Sequence, residues 1–193
     1  MIEQSLVLIK PDGVKRGLIG EILSRFERTG LKIVAAKFTN VSRELGLKHY
    51  AKDDEWKTNV GKRNIEDCKK FGVKVGDVFG TSDPVKIGDM VIKRNAEFLC
   101  SGPVLVFVIE GPGAIAKIRL LVGSTFPDTA GVGTIRGDFS LDSSYVAAMN
   151  KRTTYNLIHA SGTVEEAKEE IKLWFKPNEI FSYRRVHDNL YMY

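Results

Sequence analysis

The chain has 193 residues, 43% hydrophobic and 27% charged, a globular composition that excludes a disordered or fibrous polymer and leaves room for one domain with a sizeable core. Mean hydropathy is −0.14 and no apolar run approaches the roughly 18 residues of a membrane span, while the start Met1-Ile2-Glu3-Gln4-Ser5 lacks the basic region of a secretory signal. The 29 basic and 24 acidic residues leave a net charge of +5, suited to phosphates, nucleotides or nucleic acid, and two cysteines with three histidines supply neither a disulfide framework nor zinc spacing, so a reducing cytosol is expected.

In chain order, Ser5-Leu-Val-Leu-Ile-Lys10 is a short, nearly continuous apolar run and predicts a buried strand, broken by Pro11-Asp12-Gly13. Leu18, Ile19, Ile22, Leu23 and Phe26 recur at helical spacing, and Gly30 stops that helix. Leu31 to Val41 is β-branched enough for a second strand, and Ser42 caps a short helix reaching His49-Tyr50. Residues 51 to about 95 change character: rich in Lys, Asp, Asn and Gly, they read as an insertion with a small fold of its own or a partner-facing excursion. Their apolar residues, Ile65, Phe71, Val73, Val75, Val78, Phe79, Val85 and Ile87, are too many for a solvated loop, so the insertion is expected to dock on its own domain or on a neighbouring subunit.

Ser101-Gly-Pro-Val-Leu-Val-Phe-Val-Ile-Glu110 is the clearest strand. A helix follows through Ala114, Ile115, Ile118, Leu121 and Val122, then a glycine-rich loop over 123–139 and a second polar excursion over 140–154. Tyr155 to His159 predicts the last strand, and Thr163-Val-Glu-Glu166 is a capping box for a helix ending near Phe175. Four strands joined by helices in this order point to an α+β ferredoxin-like sandwich, an antiparallel sheet covered by helices, rather than to a doubly wound sheet. The whole chain is taken as one domain carrying two insertions.

No phosphate-binding P-loop occurs, and Gly131-Val-Gly133-Thr-Ile-Arg-Gly137 misses the dinucleotide spacing. The chain offers instead three basic residues at the ends of ordered elements, Lys10, Arg119 and Arg136. Arginine forks take phosphate oxygens in pairs, whereas lysine acts as a point charge. His159 ends an apolar strand just before a helix N-terminus, where a neutral imidazole could attack phosphorus, and Glu170 could supply the carboxylate that orients it.

Six blocks then occur in an order that resembles the nucleoside diphosphate kinase family. They are Ile9-Lys-Pro-Asp-Gly-Val14 with Arg16-Gly17, Ser101-Gly-Pro103, Glu110-Gly111, Gly133-Thr-Ile-Arg-Gly-Asp-Phe139, Asn156-Leu-Ile-His-Ala-Ser161 and Val164 to Phe175. The resemblance implies that His159 is the phosphorylated residue. It implies that Lys10, Tyr50, Arg119, Thr125, Arg136 and Asn156 bind nucleotide, and that Ser161 and Glu170 support the histidine. It implies Mg²⁺ bridging the nucleotide phosphates, di- and triphosphates including ATP as ligands, and a hexamer or tetramer built on a dimer. The chain departs from the family pattern at Ala160 and Gly162, where glycine and an acidic residue are usual, and at Tyr155 in place of arginine. Trp56, Phe71, Phe79 and Phe98 are each read as core of the insertion, leaving no residue assigned to stack on the base. A kinase-like module kept for binding nucleic acid or a protein partner is the weaker reading, because the insertion's lysines are explained by a solvated charged face.

Overall fold

The apolar runs of the sequence become strands buried on both faces. In the computed structural model, which describes residues 2–186 and 188, β1 (Ile2–Ile9) and β3 (Val104–Pro112) lie side by side at the centre of a four-stranded sheet. β2 (Lys32–Thr39) and β4 (Ile158–Ala160) form its edges, giving the order β2-β3-β1-β4. Every pairing is antiparallel, with Val7 opposite Phe107 and Leu8 opposite His159. This is the expected ferredoxin-like α+β architecture.

Side chains alternate along a strand. Val7, Ile9, Phe107 and Ile109 therefore share one layer with Ile22 and Phe26 of α2 (Ile19–Glu27) and with Ile118 and Val122 of α7 (Ala114–Val122). Leu6, Leu8, Val106 and Val108 share the other with Ile171 and Trp174 of α10 (Val164–Trp174) and with Leu99. A strand covered on both sides must be apolar at consecutive positions, which is why the period-two signal is missing from Leu6 to Ile9.

Local structure departs from expectation in four places. Pro11-Asp12-Gly13 does not merely break the strand but opens a short helix, α1 (Pro11–Lys15), where proline at the first position has no N–H to leave unbonded. The glycine-rich loop holds a 3₁₀ turn at Pro127–Thr129 and the helix α8 (Ile135–Phe139), capped by the Thr134 hydroxyl, which accepts the Gly137 N–H at 3.1 Å. Part of the 140–154 excursion is the helix α9 (Ser144–Met149). The last strand begins at Ile158 rather than Tyr155, because Asn156 and Leu157 are spent in a turn described below.

Residues 51–95 are mostly helical and run on into the core. Asp53 caps α4 (Asp54–Lys70), a short α5 (Val75–Phe79) follows, and Asp83 caps α6 (Pro84–Leu99). Cys68, Val78, Phe79 and Ile87 form a small core of their own, with Ala148 of α9 packed against it. Phe71 meets Tyr145 edge-on, with ring centroids 5.1 Å apart. α4 and α6 approach so closely that a Cβ on Gly61 would collide with the Pro84 carbonyl. α6 then carries the chain back to the main domain, where Leu99 is fully buried. No described helix is long and apolar enough to cross a membrane.

Candidate active site

His159 sits in the middle of β4, half-buried, on the sheet edge beside β1. Its Nε2 lies 2.8 Å from Glu170 Oε1, and Glu170 Oε2 accepts the Ser161 hydroxyl at 2.6 Å. Ser161 in turn takes the Leu6 N–H at 3.2 Å, tying the relay to the central strand. Glu170 reaches this point because α10 starts at a fixed place. The Thr163 side chain accepts the Glu166 N–H, and seven residues, or two helical turns, bring Glu170 back onto the face that carries Ile171 and Trp174 inward. The reciprocal bond of the capping box is shifted by one residue, since Glu166 Oε2 accepts from Gly162 rather than from Thr163. The carboxylate accepts, so the Nε2 proton is held and the Nδ1 lone pair is left free.

A second histidine, absent from the sequence-derived site, forms the wall behind the first. His49 ends α3 (Arg43–His49) and is buried against Tyr50, His159 and Trp174, with its ring centroid 4.5 Å from that of His159 and nearly perpendicular to it. Its Nδ1 accepts the Trp174 N–H at 3.3 Å, while its Nε2 has no partner. Burial, and then the neighbouring His159 and lysine charges, push its pKa well below the ordinary histidine range, so it is neutral. The adjacent Tyr50 hydroxyl is buried without a partner, and burial raises its pKa. The only signal for His49 in the sequence was its place beside Tyr50 at a helix end.

The cations converge through a strained turn. Leu157 is fully buried with φ 68°, and Ile158 N–H donates to the Asn156 carbonyl at 2.7 Å, which makes a γ-turn. Such a conformation costs about 1–3 kcal/mol and persists only where neighbours over-determine it. Here Leu157 N–H donates to Asp12 Oδ2 at 3.0 Å and the Leu157 carbonyl accepts Lys10 N–H at 2.8 Å. Gly13 allows the approach, since a Cβ there would stand 2.7 Å from Ile9 Cγ2 and 3.1 Å from the Leu157 carbonyl. The turn sets Asn156 between Lys10 Nζ, which donates to its Oδ1 at 2.8 Å, and the Thr125 carbonyl, which accepts its Nδ2 at 2.8 Å. Asp12 Oδ1 is a buried acceptor with no donor.

Arg136 is nearly buried and spends four N–H bonds on carbonyls: Asn156 and Ile158 at the entry to β4, and Gly123 and Ser124 after α7, at 2.6–3.2 Å. It therefore clamps the loop after α7 to the strand that carries His159. Arg119 and Thr125 are exposed, and Arg119 makes no ion pair among the described residues, although its charge acts on Arg136. The aromatic candidates for a base platform are mostly engaged elsewhere. Phe79 is in the small core, Phe71 faces Tyr145, and Phe98 stacks on Tyr155 at 4.7 Å; Trp56 is half-buried.

Neither Lys10 nor Arg136 has a carboxylate partner at ion-pair distance among the described residues. Burial first, then the Arg136 charge, lowers the Lys10 pKa to about 8, and burial, then Arg119, lowers that of Arg136 to about 10. The folded Lys10 thus holds its proton less tightly than the unfolded lysine, near pKa 10.4. Between about pH 8 and pH 10.5 the unfolded state binds more protons, so this group's contribution to stability rises with pH, and its charge is a cost at neutral pH. Lys10→Met should therefore raise the melting temperature at pH 7, a gain on the order of 2–3 kcal/mol, and lose that advantage above pH 10. The same variant should bind nucleotide at least tenfold more weakly. Melting curves at the two pH values check the first part, and a variant less stable than the parent at pH 7 refutes it.

The family model described as nucleoside diphosphate kinase matches residues 3–61 and 85–180. A nucleoside diphosphate kinase from Pyrobaculum aerophilum is 41% identical over 179 residues, covering 93% of this chain and 98% of the relative. One from Borreliella burgdorferi is 41% identical over 185 residues, covering 96% and 94%. Among solved structures, an NDP kinase from Pyrobaculum aerophilum superposes with a TM-score of 0.92 at 40% identity, covering 94% of this chain and all of the other. A transition-state mimic of the Borrelia burgdorferi nucleoside-diphosphate kinase with vanadate and ADP gives 0.78 at 38% identity, covering 98% and 96%.

Proposed function

Because the chain belongs to the nucleoside diphosphate kinase family, we propose that it passes the γ-phosphate of a nucleoside triphosphate to a nucleoside diphosphate through a phosphorylated His159. The observation that carries this reading is the combination of a carboxylate-oriented imidazole with a free Nδ1 and two buried cations that lack carboxylate partners among the described residues. In the first half-reaction the Nδ1–phosphorus bond forms and the bond from the γ-phosphorus to the bridging oxygen breaks, releasing the diphosphate. In the second, a different diphosphate takes the phosphoryl group by the reverse displacement, and the kinetics are ping-pong. Glu170 keeps the proton on Nε2, and the positive charge that builds on the ring is met by that carboxylate.

Lys10, Arg119 and Arg136 neutralise phosphate charge in this reading, and Asn156 and Tyr50 add polar contacts. Thr125 meets phosphate from the loop after α7. Charge neutralisation and positioning are what phosphoryl transfer requires of a protein. Mg²⁺ is the cofactor we assign, carried in on the nucleotide phosphates. The free oxygens of the cleft, Asp12 Oδ1 and the Tyr50 hydroxyl, fit contact with a hydrated cation and are too few for a protein cage. When bound, Mg²⁺ would offset the charge of the triphosphate tail. Residues 1–193 are taken as one catalytic domain working in the cytosol. An assembly built on dimers fits the exposed Phe38, on edge strand β2, and the exposed Leu120, Val132 and Leu141.

The deciding experiment is transfer of label from γ-labelled ATP to an unlabelled nucleoside diphosphate, with parallel double-reciprocal plots expected as the second substrate is varied. No label in any of the four common ribonucleoside triphosphates would sink the reading. Sedimentation of the same preparation measures the assembly.

A further inference from the structure

Behind the candidate nucleophile stands His49, an imidazole that the transfer reaction does not use, and it completes a donor set with His159 and Glu170. One ligand atom each from His49, His159 and Glu170 lie within 4.8 Å of one another, and these residues are the metal-binding-type cluster found among the described residues. Glu170 Oε1 stands 2.8 Å from His159 Nε2 and 3.9 Å from His49 Nδ1. From these contacts we propose that His49, His159 and Glu170 bind a nitrogen-seeking divalent cation of the zinc class, and that this cation switches His159 off.

The donor types decide which cation fits. Two imidazoles and one carboxylate are the ligands of an open four-coordinate zinc site, with the fourth position left to water. Metal–donor bonds near 2.1 Å in tetrahedral geometry space the donors by about 3.4 Å, so the 2.8 Å pair opens and the 3.9 Å pair closes. Mg²⁺ prefers an octahedron of oxygens and has no claim on this set. His49 is placed for the role, its ring 4.5 Å from that of His159 between centroids. Its Nε2 has no partner and its Nδ1 has only the 3.3 Å bond from Trp174, towards the long end of the range. His49 and Glu170 also line a surface cleft with Lys48, Lys52, Glu166 and Glu169.

The effect on His159 follows from its two nitrogens. Without the cation, Glu170 holds the proton on Nε2 and Nδ1 keeps its lone pair. With the cation on Nε2, that proton moves to Nδ1, so the ring keeps one proton but loses the free lone pair that attacks phosphorus. Glu170 at the same time gives up its bond to the ring. This consequence rests on the phosphohistidine reading above, whereas the cation site itself does not.

The test separates the two. Co²⁺ added to metal-free protein without nucleotide should give the intense visible absorption of a tetrahedral site at one equivalent, displaced by Zn²⁺. His49→Phe, which keeps an aromatic wall, and His49→Asn, which is smaller and polar, should each weaken that binding at least tenfold. In the second arm, Zn²⁺ buffered at fixed free concentration should block His159 phosphorylation by Mg·ATP. The block should persist when Mg·ATP is raised tenfold, and the folded His49 variants should need at least ten times more Zn²⁺. Absence of a tetrahedral Co²⁺ spectrum, equal binding by parent and both variants, or inhibition relieved by Mg·ATP would each overturn the proposal. A protein that never phosphorylates His159 yet gives the Co²⁺ spectrum would instead overturn the kinase reading and leave the cation site standing.

Discussion

Alanine at position 159 should remove the covalent intermediate and nearly all phosphoryl transfer. The parent incubated with γ-labelled ATP should carry an acid-labile, alkali-stable label, because a phosphoramidate hydrolyses readily in acid. The variant should carry none. The expected loss is several orders of magnitude in kcat, since His159 is the group whose Nε2 proton is held by a carboxylate and whose Nδ1 is left free to attack. His49 is the nearest alternative, and its ring is fully buried. Folding should be little affected, because His159 is part-exposed and its removal leaves Glu170 with the Ser161 bond. Turnover near the parent's rate, or an unchanged label, would show that another residue carries the phosphoryl group.

The two arginines should part company, although both act on the transferring phosphate in the reading above. Losing a preorganised donor of this kind costs on the order of 2.7–4 kcal/mol in the transition state, or about 10²–10³ in kcat. Arg119→Ala should show that loss with an unchanged melting temperature, since Arg119 is exposed and without an ion pair among the described residues. Arg136→Ala should show it together with destabilisation of about 3 kcal/mol or more. The change takes a donor from the carbonyls of Gly123, Ser124, Asn156 and Ile158; Asn156 keeps the Ile158 N–H and Ser124 is exposed, so the cost falls on the Ile158 and Gly123 carbonyls, at about 1–3 kcal/mol for each acceptor left unpaired. Arg136→Lys is the informative control. A lysine restores the point charge but not the planar fork, so kcat should recover in part while the melting temperature stays low. Losses confined to KM would mean that the arginines bind ground state and transition state alike. An Arg136→Ala protein as stable as the parent would remove the clamp from the account.

Much of the site was visible in local patterns. Lys10 at the end of an apolar run, His159 before a capped helix and Glu170 two turns into it are positions that spacing can identify, because each depends on one element and its cap. Asn156 was named for its place in a motif, but its working geometry depends on Leu157, which no propensity rule puts at positive φ. That turn exists because Asp12 and the Lys10 backbone, some 145 residues away, bind both sides of it. It also explains why the last strand starts late. The helices of residues 51–95 were missed for a related reason. Their apolar residues are divided between a small core shared with α9 and, at the end of α6, the main core, so no single wide apolar stripe marks them.

The sequence by itself determined the order of the four strands and of the helices α2, α3, α7 and α10, the burial of β1 and β3, and the residue types that can handle phosphate, because these follow from local periodicity, caps and donor chemistry. Only the tertiary structure decided that Arg136 is a clamp as well as a charge, that Asp12 pins a strained turn, and that His49 stands against His159. Each of those roles is a contact between elements far apart in the chain. Burial then changes what such groups do: it leaves Lys10 charged at a cost, keeps His49 neutral, and sets two imidazoles and a carboxylate within reach of a single ion.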